Sequence, residues 1–153
     1  MKSKTFTEIC AALLILLFAY TAVSKLLEYD KFIFQMKLSP LSLMGILAPF
    51  LAWIVPLLEI ILVGFLLFPK VRKAGFIGSI ILLTVFEVYI LGMLVSGLHL
   101  PCTCGGIVSM LSWKGHLFFN AFFIAVAYLG LRLARKKKME QPSKIEYSAR
   151  PEA

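Results

Sequence analysis

Two cysteines stand one residue apart in the stretch "LHLPCTCGGIVSMLSW", Cys102 and Cys104, between Pro101 and the pair Gly105-Gly106. Three kinds of chemistry suit such a pair: a structural disulfide, a metal clamp, or a redox couple. A disulfide across C-x-C closes a very small ring, which is strained and therefore more easily reduced than a relaxed bridge. It is also a weak staple, because stabilisation grows with the length of loop closed. Pro101 and the two glycines favour a tight turn whose backbone amides approach sulfur and favour a thiolate. A zinc site would want C-x₂-C spacing and further ligands. His99 and His116 are the candidates for a copper or zinc alternative, and no familiar metal motif is present. The redox reading leads, with the structural and metal readings open beside it.

Five further groups could serve those thiols. His116 and Asn120 are four residues apart and share a helix face, so the amide could orient an imidazole that acts as base for a thiol or caps the loop. Glu59 and Glu87 fall within apolar runs, where carboxylates are costly and face the protein interior, pair, or take up a proton. They are expected at similar depth on neighbouring helices, as a hydrogen-bonded clasp or as proton-handling groups that contact a quinone-like substrate. Lys25 ends the first apolar run; its ammonium could snorkel to the interface, pair with Glu28, or bring positive charge to the cysteines.

These residues need elements to position them, and the composition dictates what those are. The chain has 153 residues, 60% hydrophobic and 16% charged, with a mean hydropathy of +0.90. A soluble domain of this size needs far more polar cover. Runs of about 20 apolar residues suffice to cross a bilayer, and there are four, at approximately 6–27, 45–68, 74–98 and 113–133. The first lacks a clean A-x-A cleavage site in "FAYTAVSK" and reads as a retained span. Cys10 within it, preceded by "FTEI", reads as a small buried hydrophobe rather than a lipidation site. The expected fold is an all-α membrane protein, a four-transmembrane-helix bundle with a short outer interfacial segment between helices 1 and 2.

That segment, "EYDKFIFQMKLSPLSL", places Phe32, Ile33 and Met36 on one side and stops near Ser39-Pro40. In the second span Gly45, Pro49, Ala52, Pro56, Glu59 and Val63 recur at three- and four-residue steps, a narrow small-residue stripe that faces the bundle. Gly75 and Ser79 repeat the device in the third. The fourth opens with Ser112 as an N-cap and Trp113 as a supporting anchor at headgroup depth. From 134 to 153 a basic tail is expected to be disordered. The net charge of +8 is arranged for topology rather than for nucleic acid: twelve of the sixteen basic residues fall on the side of the termini and the "PKVRK" turn. By the positive-inside rule both termini are cytoplasmic. The Cys102/Cys104 loop then faces the bacterial periplasm, where disulfides persist.

The stretches "FAYTAVSKLLEYDKF", "LSPL", "LAWIVPLLEIILVGFLLFPKVRKAGF" and "LPCTCGGIVSMLSWKGHLFFNAFF" resemble the MauE/DoxX membrane proteins, in particular a redox-associated branch with a C-x-C-G-G loop followed by S-W-x-x-H-x-x-x-N. The resemblance covers approximately Phe18 to Phe123, with Lys25, Glu59, Cys102, Cys104, His116 and Asn120 at the matching positions. It implies a four-helix bundle in the bacterial inner membrane. It also implies a supporting role in periplasmic thiol–disulfide chemistry, as in methylamine utilisation, with a thioredoxin-like partner. The expectation is an inner-membrane thiol–disulfide protein with Cys102, Cys104, His116 and Glu59 at its centre, supported by Lys25, Glu87, Asn120 and Trp113. A quinone is a candidate cofactor, and the lipid bilayer and a thioredoxin-like protein are the partners. A non-catalytic membrane scaffold for a partner oxidoreductase is the alternative from another class.

Overall fold

The computed structural model describes residues 2–37, 42–95 and 113–148. Among them the chain forms five helices and no strand: α1 (Lys2–Leu27), α2 (Tyr29–Lys37), α3 (Ser42–Leu67), α4 (Arg72–Val95) and α5 (Trp113–Ser148). Helix is the only spanning form open to these runs, because hydrocarbon offers no partner for a free backbone amide. Four helices are long and apolar enough to cross a membrane, over Lys4–Leu27, Gly45–Leu67, Arg72–Gly92 and Gly115–Arg135. These are the four expected spans. The fold is a helical membrane bundle in which α1 packs on α3 and α5, α4 packs on the same two, and α2 lies against α3.

The buried positions show why the helices stay together along their length. On α1 they are Thr7, Ala11, Leu14, Leu17, Phe18, Thr21, Ala22, Ser24 and Lys25; on α3, Ala48, Ala52, Pro56, Glu59, Leu62 and Leu66. On α4 they include Phe76, Ser79, Leu83 and Ile90, and on α5 His116, Asn120, Ala127 and Leu131. Steps of three and four keep one narrow seam turned toward the neighbours, as in coiled-coil packing. The opposite faces carry exposed Leu16, Phe50, Trp53, Val85 and Phe118, an apolar exterior suited to lipid tails. Small residues let the backbones approach. A Cβ on Gly75 would stand 3.0 Å from the Leu66 backbone nitrogen, and one on Gly130 would fall on the Phe76 ring.

The expected α3 stripe holds at its middle. Ala52, Pro56 and Glu59 are buried and Gly45 is half-buried, whereas Pro49 is exposed beside buried Ala48, and Val63 is half-buried beside buried Leu62. A strict 3.5-residue repeat drifts around a straight helix of 3.6 residues per turn, so members of the stripe away from its middle rotate off the seam. Pro56 leaves the Ala52 carbonyl without its helical donor, inside the bundle rather than against lipid.

At one end α3 turns into α4 through Phe68–Val71, and Arg72 Nε donates to the Leu66 carbonyl at 2.9 Å, satisfying one of the last acceptors of α3. The half of the bundle nearest this turn is dry, packed from Leu14, Phe18, Leu62, Leu66, Phe76, Val126 and Leu131. At the other end α1 passes into α2 at Glu28, with Glu28 N bonded to Ser24 O and Phe32 N to Glu28 O. The Tyr29 ring tilts against Trp53, centroids 5.7 Å apart, and docks α2 on α3. Phe32 is buried and Ile33 and Met36 are half-buried, the side the spacing assigns; Ser39 and Pro40 lie outside the described residues. So do Ser112, the Trp113 side chain and the whole of 96–112. α5 continues as helix to Ser148, where the sequence reading expects a disordered tail from residue 134. The run "LARKKKMEQ" is rich in good helix formers, which extend a helix already nucleated in the membrane.

Gly130→Ala should lower stability by about 1–3 kcal/mol, the usual cost of overpacking, read as a reduced thermal midpoint in detergent. Combining it with Phe76→Leu should recover part of the loss.

Candidate functional site

Polar side chains gather in the half of the bundle away from the α3–α4 turn. Lys25, near the end of α1, is 3% exposed, and Glu59 of α3 is 2% exposed. Lys25 Nζ donates to Glu59 Oε1 at 2.7 Å, and the Thr21 hydroxyl donates to the same oxygen at 3.1 Å. The ammonium also stands 5.6 Å from the centre of the Phe86 ring, a cation–π contact from α4. Such a pair must offset the loss of hydration of both ions, several kcal/mol each, through close contact and added hydrogen bonds. The 2.7 Å distance, the Thr21 hydroxyl and the Phe86 ring supply both.

Two expectations are corrected by this geometry. Lys25 does not snorkel, and its carboxylate is Glu59 rather than Glu28. Cα–Cβ bonds in a helix tilt toward its N-terminus, so the four-carbon stem of Lys25 is aimed back into the bundle, toward the level of Thr21. Glu28 instead pairs with exposed Lys31 at 3.3 Å. Glu59 is clasped by Lys25 and Thr21 rather than by the second intramembrane acid. On α4 the residues that face the centre are Leu83, Phe86 and Ile90. Glu87 is half-buried and outside that lining, and its Oε2 has no hydrogen-bond partner among the described residues.

Around the pair lies a cavity of about 40 Å³. Its polar wall is Thr21, Lys25, Glu59, His116 and Asn120; its apolar wall includes Phe18, Phe86 and Phe119. His116 and Asn120 do share one face of α5, and both are buried, at 3% and 7% exposure. His116 Nδ1 finds no hydrogen-bond partner among the described residues. The cavity reaches from Leu83, midway along the α4 span, to Ile90 and His116. From that end the chain runs through 96–112, which carry Cys102 and Cys104 and lie outside the described residues.

Lys25, Glu59, His116 and Asn120 are thus brought to one cavity by three helices, α1, α3 and α5. Thr21, Phe86 and Phe119 belong to the same site and were not singled out by the sequence. Thr21 had a signal, since it stands one turn before Lys25 in an apolar span and so shares its face. The two phenylalanines had none among thirteen in the chain.

Lys25→Met leaves the Glu59 carboxylate in the core without its cation, and Glu59→Leu leaves the ammonium. Each should cost about 3–5 kcal/mol, and the double replacement by apolar side chains should recover most of that. Unfolding in mild detergent titrated with sodium dodecyl sulfate reads all three against wild type.

The comparisons with known proteins agree with this architecture. No curated protein and no solved structure matches the chain. The family model described as "Methylamine utilisation protein MauE" matches residues 3–133, which takes in the first three apolar stretches, nearly all of the fourth and every residue of the cavity wall. The chain belongs to the MauE family of membrane proteins.

Proposed function

We propose that this protein is a thiol–disulfide exchange protein of the bacterial cytoplasmic membrane, with Cys102 and Cys104 as its redox pair. The observation that carries the reading is the cavity. An otherwise apolar bundle holds Lys25, Glu59, His116 and Asn120 together at the end from which the cysteine-bearing segment departs. Membership of a family described by methylamine utilisation supports a redox-associated membrane role. The excess of basic residues at the termini and the α3–α4 turn supports cytoplasmic termini and a periplasmic cysteine segment.

The exchange balances as follows. A thiolate of a periplasmic thioredoxin-like dithiol attacks one sulfur of the Cys102–Cys104 disulfide, forming a mixed disulfide and releasing the other cysteine as thiolate. The partner's second thiol then resolves the mixed disulfide. The partner leaves oxidised, and the pair holds two electrons and two protons. A quinone of the bilayer or a second disulfide protein accepts those electrons and protons, and the sequence runs equally in reverse. In this reading His116 serves the leaving thiolate, and Glu59, held by Lys25, is the charged group behind it.

Alkylation of Cys102 and Cys104 in native membranes, on a Cys10→Ser background, tests this reading. Both thiols should be modified after treatment with a dithiol and protected after mild oxidation, and a membrane-impermeant maleimide should reach them from the periplasmic side. Thiols that stay in one state under both treatments would contradict the exchange reading. A Cys102→Ser, Cys104→Ser variant that still supports the partner's maturation would favour the scaffold reading instead.

A further inference from the structure

We infer that the central cavity is a hydrated site, in which internal water joins the His116 imidazole to the Lys25–Glu59 pair. Three observations carry this. The first is size: about 40 Å³ is room for roughly three to four waters at 10–15 Å³ each. The second is chemistry. An internal water needs two to four polar partners, and the wall supplies an ammonium, a carboxylate, a hydroxyl, an amide and an imidazole. The third is the orphan. His116 is 3% exposed, it lines the cavity, and its Nδ1 has no hydrogen-bond partner among the described residues. An unmet imidazole nitrogen in an apolar bundle is costly, and a water in the cavity would meet it.

The groups facing Glu59 come from three elements. α1 supplies Lys25 and Thr21, α5 supplies His116 and Asn120, and α4 supplies the non-titrating Leu83, Phe86 and Ile90. Glu87 follows Phe86 on α4 and stands outside the wall, and none of the described α2 side chains lines it. Among the described residues the wall thus carries Glu59 near mid-membrane and His116 toward the cysteine-bearing end. Phe18, Phe86 and Phe119 belong to its apolar wall. Its purpose rests on the thiol reading above: His116 takes the proton of the partner's attacking thiol and gives it to the leaving thiolate, and the Glu59 carboxylate across the water stabilises the imidazolium in between.

The test reads water rather than thiol exchange, so its outcome is independent of whether Cys102 and Cys104 cycle. Infrared spectra of the membrane-reconstituted protein are recorded in ordinary water and in water enriched in ¹⁸O, which shifts the bands of internal water. Wild type should show shifted bands of strongly hydrogen-bonded water that His116→Leu loses in part. A wild type without such bands, or spectra of the two proteins that superimpose, would overturn the inference. A second measurement needs no variant at position 116. In ¹⁵N-histidine-labelled wild-type protein, the His116 Nδ1 signal should show proton transfer from water in solid-state NMR. An Nδ1 without water contact would overturn it equally.

Discussion

The contact between Lys25 and Glu59 organises the polar half of this protein. An apolar bundle in lipid gains little from the hydrophobic effect between its helices, because the lipid tails are as apolar as the helix faces. What fixes register is packing of small residues and the few polar groups that have to meet. Here an ammonium and a carboxylate, both almost fully buried, meet at 2.7 Å between α1 and α3. A slide of either helix by one turn would part them and leave two bare charges in the core. The pair therefore constrains α1 against α3, and Thr21 and Phe86 are drawn into place around it.

The constraint divides the bundle. Toward the α3–α4 turn the core is dry and tight, set by Gly75 against Leu66 and Gly130 against Phe76. Toward the other end the ion pair holds the helices around a small polar space, into which α5 turns His116 and Asn120. Dry packing gives a rigid base for a site whose charged groups cannot stabilise the fold by themselves. The segment 96–112 joins α4 to α5 at the polar end.

Much of this was legible in the sequence because lipid simplifies the problem. Runs as apolar as "LAWIVPLLEIILVGFLLF" can only be spanning helices, and the i, i+4 spacing of His116 and Asn120 fixes their common face. Glu59 was legible as an inward-facing group because its alternatives in hydrocarbon are poor. Its partner was not. Whether Lys25 rises to the interface or turns inward depends on the tilt of its side chain and on the register of α3, and neither is written in spacing. Pro49 was misplaced for a related reason: on a helix whose outer face is as greasy as its inner face, a stripe of small residues gives direction only locally. The cysteines carry the strongest chemical signal in the chain, and their positions lie outside the described residues.

The central claim, that Lys25 and Glu59 form a buried ion pair tying α1 to α3, is tested most directly by a distance. Solid-state NMR of protein in lipid, labelled with ¹⁵N at lysine and ¹³C at glutamate, measures the dipolar coupling between Lys25 Nζ and the Glu59 carboxyl carbon. The account predicts the strong coupling of a nitrogen 2.7 Å from a carboxylate oxygen, lost in Lys25→Met and Glu59→Gln. A wild-type spectrum without that coupling, with Lys25 Nζ in rapid exchange with bulk water, would contradict it.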